Sequence, residues 1–162
     1  MWQPFPLNEI EVRPATEADL PKAAELRWQW MLENGQTPAG TEAEYVERFT
    51  DWARATSQHE CFLAIRSGTV VGMAWLAVTD RVPAADAFDR RSGDLQSVYV
   101  VAEERNRGVG GRLVDAVADR ARELGLQHVT VHSSSRAISA YQRHGFQAMP
   151  KLMLLDPRSL PH

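Results

Sequence analysis

Apolar positions along this chain recur in two rhythms, and the rhythm changes several times. Ile10-Glu11-Val12-Arg13 alternates apolar and charged residues, which predicts a short strand with one buried face that stops at Pro14. Leu20, Ala23, Ala24, Leu26, Trp30 and Met31 then follow helical spacing, with Asp19 placed as an N-cap, Pro21 in the first turn and Asn34-Gly35 as the stop. Thr41-Glu42-Ala43-Glu44 has the form of a capping box and opens a second helix, whose apolar side carries Tyr45, Phe49, Trp52 and Ala53. Cys61 to Arg66 and Val70 to Thr79 read as two strands of a hairpin turned at Ser67-Gly68. Arg81 to Gly93 has no period and is expected to be a connecting loop, the most mobile part of the chain. Leu95 to Val101 predicts a strand. The following helix has an inner stripe of Val109, Leu113, Ala116, Val117, Ala121 and Leu124, closed by Gly125. His128 to His132 predicts another strand, Ser134 to Arg143 a short helix, and Phe146 to Leu155 a final strand or hairpin despite Pro150. Strands and helices in this order describe a mixed α/β layout without internal repeats.

Composition narrows this picture. A chain of 162 residues with 44% hydrophobic and 24% charged residues suits one domain over 1–162. The balance of 18 basic and 21 acidic residues, net -3, supplies no overall basic field, so nucleic acid and an anionic membrane surface are not expected partners. No uncharged apolar run approaches the roughly 20 residues that span a bilayer, and Met1 to Pro6 lacks the basic and apolar regions of a secretory signal. The expected location is cytoplasmic. Cys61 is the sole cysteine, sits in an apolar run and reads as a buried small hydrophobe. His59, His128, His132 and His144 lack metal-ligand spacing, so no metal is expected.

The segment Val98-Tyr99-Val100-Val101-Ala102-Glu103-Glu104-Arg105-Asn106-Arg107-Gly108-Val109-Gly110-Gly111 carries the chemistry. A strand runs into a glycine-rich turn that opens a helix. Glycine lets backbone approach a ligand, and a helix start offers unpaired N–H groups and the positive end of the helix dipole, together a phosphate site. A dinucleotide fingerprint fails because Leu113 stands where the third glycine belongs, and a Walker loop fails because Gly-Lys occurs nowhere in the chain.

The spacing Arg105-Asn106-Arg107-Gly108-Val109-Gly110 resembles the pyrophosphate loop of the GNAT superfamily of N-acetyltransferases, Arg/Gln-x-x-Gly-x-Gly/Ala. Ile10 to Leu20, Val70 to Ala74 and Ala137 to Phe146 are similar to that family's opening strand and helix start, third strand, and late helix with final strand. The resemblance implies a mixed central sheet of six to seven strands flanked by about four helices and splayed to admit acetyl-CoA. It implies that the backbone of Val98, Tyr99 and Val100 pairs with the pantetheine arm and that Asn106, Arg107, Gly108, Val109, Gly110 and Gly111 hold the pyrophosphate. Arg105 and Arg107 are expected near the phosphates, with Arg107 or Arg112 reaching the 3′-phosphate. Tyr141 falls where the family places a general acid. Ser134 stands where the family commonly has Asn, as a CoA contact. Asp94, just before the central strand, leads as general base, with Glu33, Glu42 and Glu44 as fallbacks. The implied partners are acetyl-CoA as donor and a small-molecule or peptide amine as acceptor, in a monomer or homodimer.

Each assignment has a plainer counterpart. Tyr141 also suits a core tyrosine, Asp94 a loop-end carboxylate, and Glu103-Glu104 a solvated charge cluster. Trp28, Trp30, Tyr45, Phe49 and Trp52 suit either a core or the wall of an acceptor pocket. The alternative function is a non-catalytic acyl-CoA sensor that keeps the loop and lacks the acid. A transferase acting on charged tRNA would need a basic face that the composition does not supply.

Overall fold

Residues 9–159 are described in the computed structural model. Strands β1 (Ile10–Pro14), β2 (His59–Arg66), β3 (Thr69–Asp80), β4 (Arg91–Val100) and β5 (Val129–Val131) form a sheet in the order β1-β2-β3-β4-β5. The first four run antiparallel to their neighbours, and β5 joins β4 in parallel. Seven successive residues of β3, Val71 to Ala77, are buried, as befits a central strand covered on both faces.

Two helical layers supply that cover. On one face α1 (Leu20–Glu33) packs Leu20, Ala23 and Leu26 onto Cys61, Leu63, Ile65, Met73, Trp75 and Tyr99, and α2 (Glu42–Ala55) adds Phe49 and Ala53. On the other, α3 (Val109–Glu123) packs Val109, Leu113, Val114 and Val117 onto Phe62, Ala64, Ala74, Leu76 and Leu95. Each such aliphatic side chain contributes roughly 1.5–3 kcal/mol by leaving water. The short α4 (Ile138–Arg143) follows β5. Val114 joins the stripe expected from the sequence, and Ala116 is only partly buried.

The Thr41 capping box forms as expected: the Thr41 N–H donates to Glu44 at 2.9 Å, and the Glu44 N–H donates to the Thr41 hydroxyl at 3.2 Å. Asp19 does not cap α1. Its carboxylate turns back to accept from the Thr16 N–H at 2.7 Å, the Thr16 hydroxyl at 2.8 Å and Arg13 at 2.7 Å, closing a 3-10 turn over Glu17–Asp19.

Three expectations need correction. The sheet has five strands among the described residues, against the six to seven expected. Phe146 to Leu155 forms no strand: Pro150 lacks the N–H that a ladder needs, and Met149 and Leu152 to Leu155 are exposed. β4 begins at Arg91, earlier than Leu95, because the long β3 offers its backbone as far as Asp80, so pairing overrides the weak local pattern. The connecting loop shortens accordingly and is tied together, with the Arg81 N–H donating to the Arg90 carbonyl at 2.8 Å and Arg90 to the Val82 carbonyl at 2.7 Å.

Candidate functional site

The parallel pair β4 and β5 share three residue pairs, Gly93 with Val129, Asp94 with Thr130 and Leu95 with Val131. β4 continues to Val100, still paired to β3 on its other side, so from Gln96 onward one edge has no strand partner among the described residues. The pairing stops at Leu95 with Val131, where β5 ends, and this is the crotch from which the open edge of β4 runs on. Val98, Tyr99 and Val100 all lie on that open stretch, where backbone N–H and C=O groups can accept an added strand-like ligand. Directly beyond the crotch the register with β3 shifts, and Ser97 takes a left-handed φ of 55°, the signature of a bulge that bends a strand and re-aims its groups.

The open edge leads into the glycine turn. Asn106 (φ 61°) and Gly108 (φ 81°) are both left-handed, and Gly108 is the residue before α3. That pair of reversals turns the chain so that α3 starts against the sheet; at Gly108 a side chain would strain the turn. The first bond of this helix runs from the Arg112 N–H to the Gly108 carbonyl, so the N–H groups of Val109, Gly110 and Gly111 have no intrahelical acceptor. Donors and dipole converge there, which fits an anion.

Glu104 fixes the entry to this turn. It accepts a forked pair of bonds from Arg66 at 2.9 and 3.0 Å, and both side chains are nearly buried. The expectation of a solvated cluster is corrected on this point: Glu104 is an anchor between the end of β2 and the turn. Arg107 lies 3.8 Å from the same carboxylate. Arg112 is directed to the Ile10 carbonyl on β1.

Arg105 is also engaged with protein. It donates to the Val100 carbonyl at 2.9 Å and to Glu33 at the end of α1, and its guanidinium lies 5.4 Å from the Tyr99 ring centre. The Tyr99 hydroxyl donates to the other Glu33 oxygen at 2.7 Å. The Arg105 hydrogen bond, then that of Tyr99, hold the Glu33 carboxyl below its ordinary range. Burial, reinforced by Glu33, pushes the Tyr99 phenol up to about 12. Glu33 is thus a tie between α1, β4 and the glycine turn. Glu42 and Glu44 sit at the start of α2, where Glu44 serves the capping box.

Asp94 sits one residue short of the crotch. Its carboxylate accepts from the Thr130 hydroxyl at 2.8 Å and from the Gln96 amide at 2.9 Å, both neutral partners. Tyr141, on α4, is half-buried with its ring edge-on to Phe146 at 5.5 Å. Burial raises its phenol, and its hydroxyl has no protein partner among the described residues. Tyr141 lines a cavity of about 270 Å³ with Val131, Phe146, Met149 and Leu152. Ser134 is exposed, and its carbonyl accepts from the Ser133 hydroxyl at 2.8 Å and the Ala137 N–H at 3.0 Å. Cys61 is buried, and desolvation raises its thiol far above the usual range.

One contact was not foreseen. The His144 Nδ1–H donates to Asp115 of α3 at 2.7 Å, and the ring lies directly over Gly111. It joins the helix of Tyr141 to the first turns of α3, across 29 residues of sequence that carry no shared local pattern.

The aromatic side chains of α1, α2 and β3 form one chain of contacts: Trp28 to Tyr45 at 5.5 Å, Tyr45 to Phe49 at 5.8 Å, and Phe49 and Trp52 each to Trp75 at 5.5 Å. Their inner end is core, since Trp75 is buried, while Trp52 is 43% exposed. A cavity of about 640 Å³ opens along the outer side of α2 against Tyr45, Phe49 and Trp52. No described helix is long and apolar enough to cross a membrane.

Comparison with known proteins adds independent evidence. Residues 20–146 match the model of the Acetyltransferase (GNAT) family. A glucosamine 6-phosphate N-acetyltransferase from Trypanosoma brucei brucei is 26% identical over 148 residues, 91% of this chain and 96% of that protein. A mycothiol acetyltransferase from Thermobispora bispora is 35% identical over 91 residues, 52% of this chain but only 29% of that longer protein. Among solved structures, a predicted acetyltransferase from Clostridium acetobutylicum with acetyl-CoA superposes with a TM-score of 0.75 at 18% identity, covering 94% of this chain and 99% of that one.

Proposed function

The chain belongs to the acetyltransferase (GNAT) family and is an acetyl-transferring enzyme, and on that premise we propose that it moves acetyl from acetyl-CoA directly to a primary amine of a small molecule or peptide. The observation that carries this reading is the open edge of β4 leading, through one 3-10 turn over Ala102–Glu104, into the glycine turn and the unpaired N–H groups of α3. An extended pantetheine fits such an edge, and a pyrophosphate fits such a turn.

In this reading Val98, Tyr99 and Val100 pair with the pantetheine arm, and the stretch from Asn106 to Gly111 holds the pyrophosphate. Arg107 compensates the pyrophosphate charge, Arg105 braces the turn, and Ser134 contacts CoA. Asp94 takes one proton from the acceptor ammonium. The freed amine nitrogen attacks the thioester carbonyl, so a C–N bond forms and the C–S bond breaks. Tyr141 gives its proton to the departing thiolate and regains, through solvent, the second proton that the nitrogen sheds as the amide forms, while Asp94 releases the first to solvent. Net, an ammonium and a thioester become an amide, a thiol and a proton. A covalent route through Cys61 is disfavoured, because its thiol is buried and held protonated.

The test is release of free thiol from acetyl-CoA across pooled amines: amino sugars, aminoglycosides, polyamines, amino acids, arylalkylamines and peptides. Release above the amine-free blank is the expected result. Tight acetyl-CoA binding with silence in every pool would favour a sensor domain instead.

A further inference from the structure

We propose that the acceptor is an arylalkylamine, a primary ammonium carried on a flat apolar body, bound with its ring against Trp52 and Phe49 and its ammonium at Asp94. This rests on the transferase reading above and names its substrate class.

The placement follows from sheet register. Trp75 pairs with Gln96 and Ala77 with Asp94, and residues paired across two strands point to one face. Trp75 faces α1 and α2, so Gln96 and Asp94 do as well. Trp75 is roofed by Phe49 and Trp52. Gln96 is exposed and Asp94 only partly buried, so this part of the sheet is open to solvent beside the aromatic wall. This face of the sheet thus carries a carboxylate beside the end of β5, two residues along β4 from Gln96, the cross-strand partner of Trp75.

Charge selects the reacting end. Asp94 accepts from Thr130 and Gln96 only, and neither neutral donor cancels its charge. Among the described residues it has no cationic partner. An ammonium brought to Asp94 compensates the charge and presents its proton to the proposed base.

Shape selects the body. Tyr45, Phe49 and Trp52 present ring faces and edges with 5.4–5.8 Å spacing, and Trp52, which also meets the His59 ring edge-on at 5.0 Å, keeps 43% of its surface exposed for another ring. A polyhydroxylated amino sugar needs several free hydrogen-bonding side chains. The polar groups on this floor, Gln96 and Thr130, are already turned to Asp94.

The experiment compares kcat/KM for tryptamine, glucosamine 6-phosphate and spermidine at saturating acetyl-CoA, in the native protein and in Trp52→Ala. Tryptamine should exceed the other two by about tenfold or more, the ratio expected for one good ring-on-ring contact. Trp52→Ala should raise the tryptamine KM by about tenfold while changing kcat by no more than about twofold, as loss of uniform binding requires. A circular dichroism melt checks that the variant is folded, and Trp52→Phe should recover most of the affinity. Preference for glucosamine 6-phosphate or spermidine would overturn the inference and leave the transferase standing. So would an unchanged tryptamine KM in folded Trp52→Ala. Release with some other pooled amine but none of these three would overturn the inference alone, and absence of thiol release with every amine would overturn both readings.

Discussion

The imidazole of His144 fills the space that a side chain on Gly111 would need: a Cβ built there would stand 2.5 Å from Nε2 and 2.7 Å from Cε1. The ring is held at that position by Asp115 at 2.7 Å, on the same helix one turn further on. Helix α4, which carries Tyr141, is thereby docked onto the first turns of α3, which carry the anion site. Gly111→Ala should expel the imidazole and break its bond to Asp115. The expected cost is about 1 kcal/mol, or roughly 2–4 °C of melting temperature for a domain of this size, with turnover falling more than stability. A melt and a kcat measurement on the same preparation check it; a variant with native kcat would show that the α4 to α3 contact does not position Tyr141.

Tyr141→Phe removes a hydroxyl that no protein group satisfies, so stability should change by less than about 0.5 kcal/mol. Acetyl-CoA affinity should stay within about twofold, while kcat falls on the order of 100-fold, the lower range for loss of one acid–base group. Isothermal titration and steady-state kinetics separate the two effects. Equal loss of affinity and turnover would assign the ring to packing instead of proton transfer.

All three tyrosines of the chain are shifted in one direction. Burial raises Tyr45 and Tyr141, and burial together with Glu33 lifts Tyr99 to about 12. A tyrosine whose folded pKa exceeds its unfolded value of about 10 stabilises the fold below that pH and loses this contribution as pH rises toward the folded value. An ultraviolet titration should therefore find little tyrosinate at about pH 10, with ionisation and loss of structure beginning together above it. Normal titration of a tyrosine at about pH 10 in the folded protein would contradict the burial of that side chain.

Much of this could be read from residue order alone. The rhythm of Ile10 to Val12 and the stripe of α3 gave their elements because one face of each is buried, and the Thr41 box formed because its bonds are local. The spacing from Arg105 to Gly110 located the turn, since left-handed backbone at Gly108 is a local demand. What escaped is held together over long separations. Glu33 meets Tyr99 and Arg105 across 66 and 72 residues, and Asp94 meets Thr130 across 36. An exposed glutamate at the end of a helix carries no mark of such a partner. The segment after Phe146 misled in the opposite sense: its apolar run from Leu152 to Leu155 looks like a buried strand, yet Pro150 interrupts the donors a strand would use.

Asp19 gives the acid side of the stability profile. Hydrogen bonds from Arg13 and from the Thr16 backbone hold its carboxyl well below the usual range. A carboxylate depressed in the folded state stabilises the protein above its unfolded pKa of about 4, and that contribution is lost as pH falls toward the folded value. The bonds also close the turn that sets the entry angle of α1, whose far end carries Glu33 and, through it, Arg105 and the glycine turn. Asp19→Ala should thus lower stability by about 1–2 kcal/mol at about pH 7, as loss of the hydrogen bonds that close this turn and of a charge-assisted bond does. Because the native protein gives up the same contribution in acid, the gap between the two should narrow steadily below about pH 4. Urea unfolding at several pH values measures it. A gap that stays constant into acid would mean that the carboxylate charge contributes nothing and that only side-chain packing was lost.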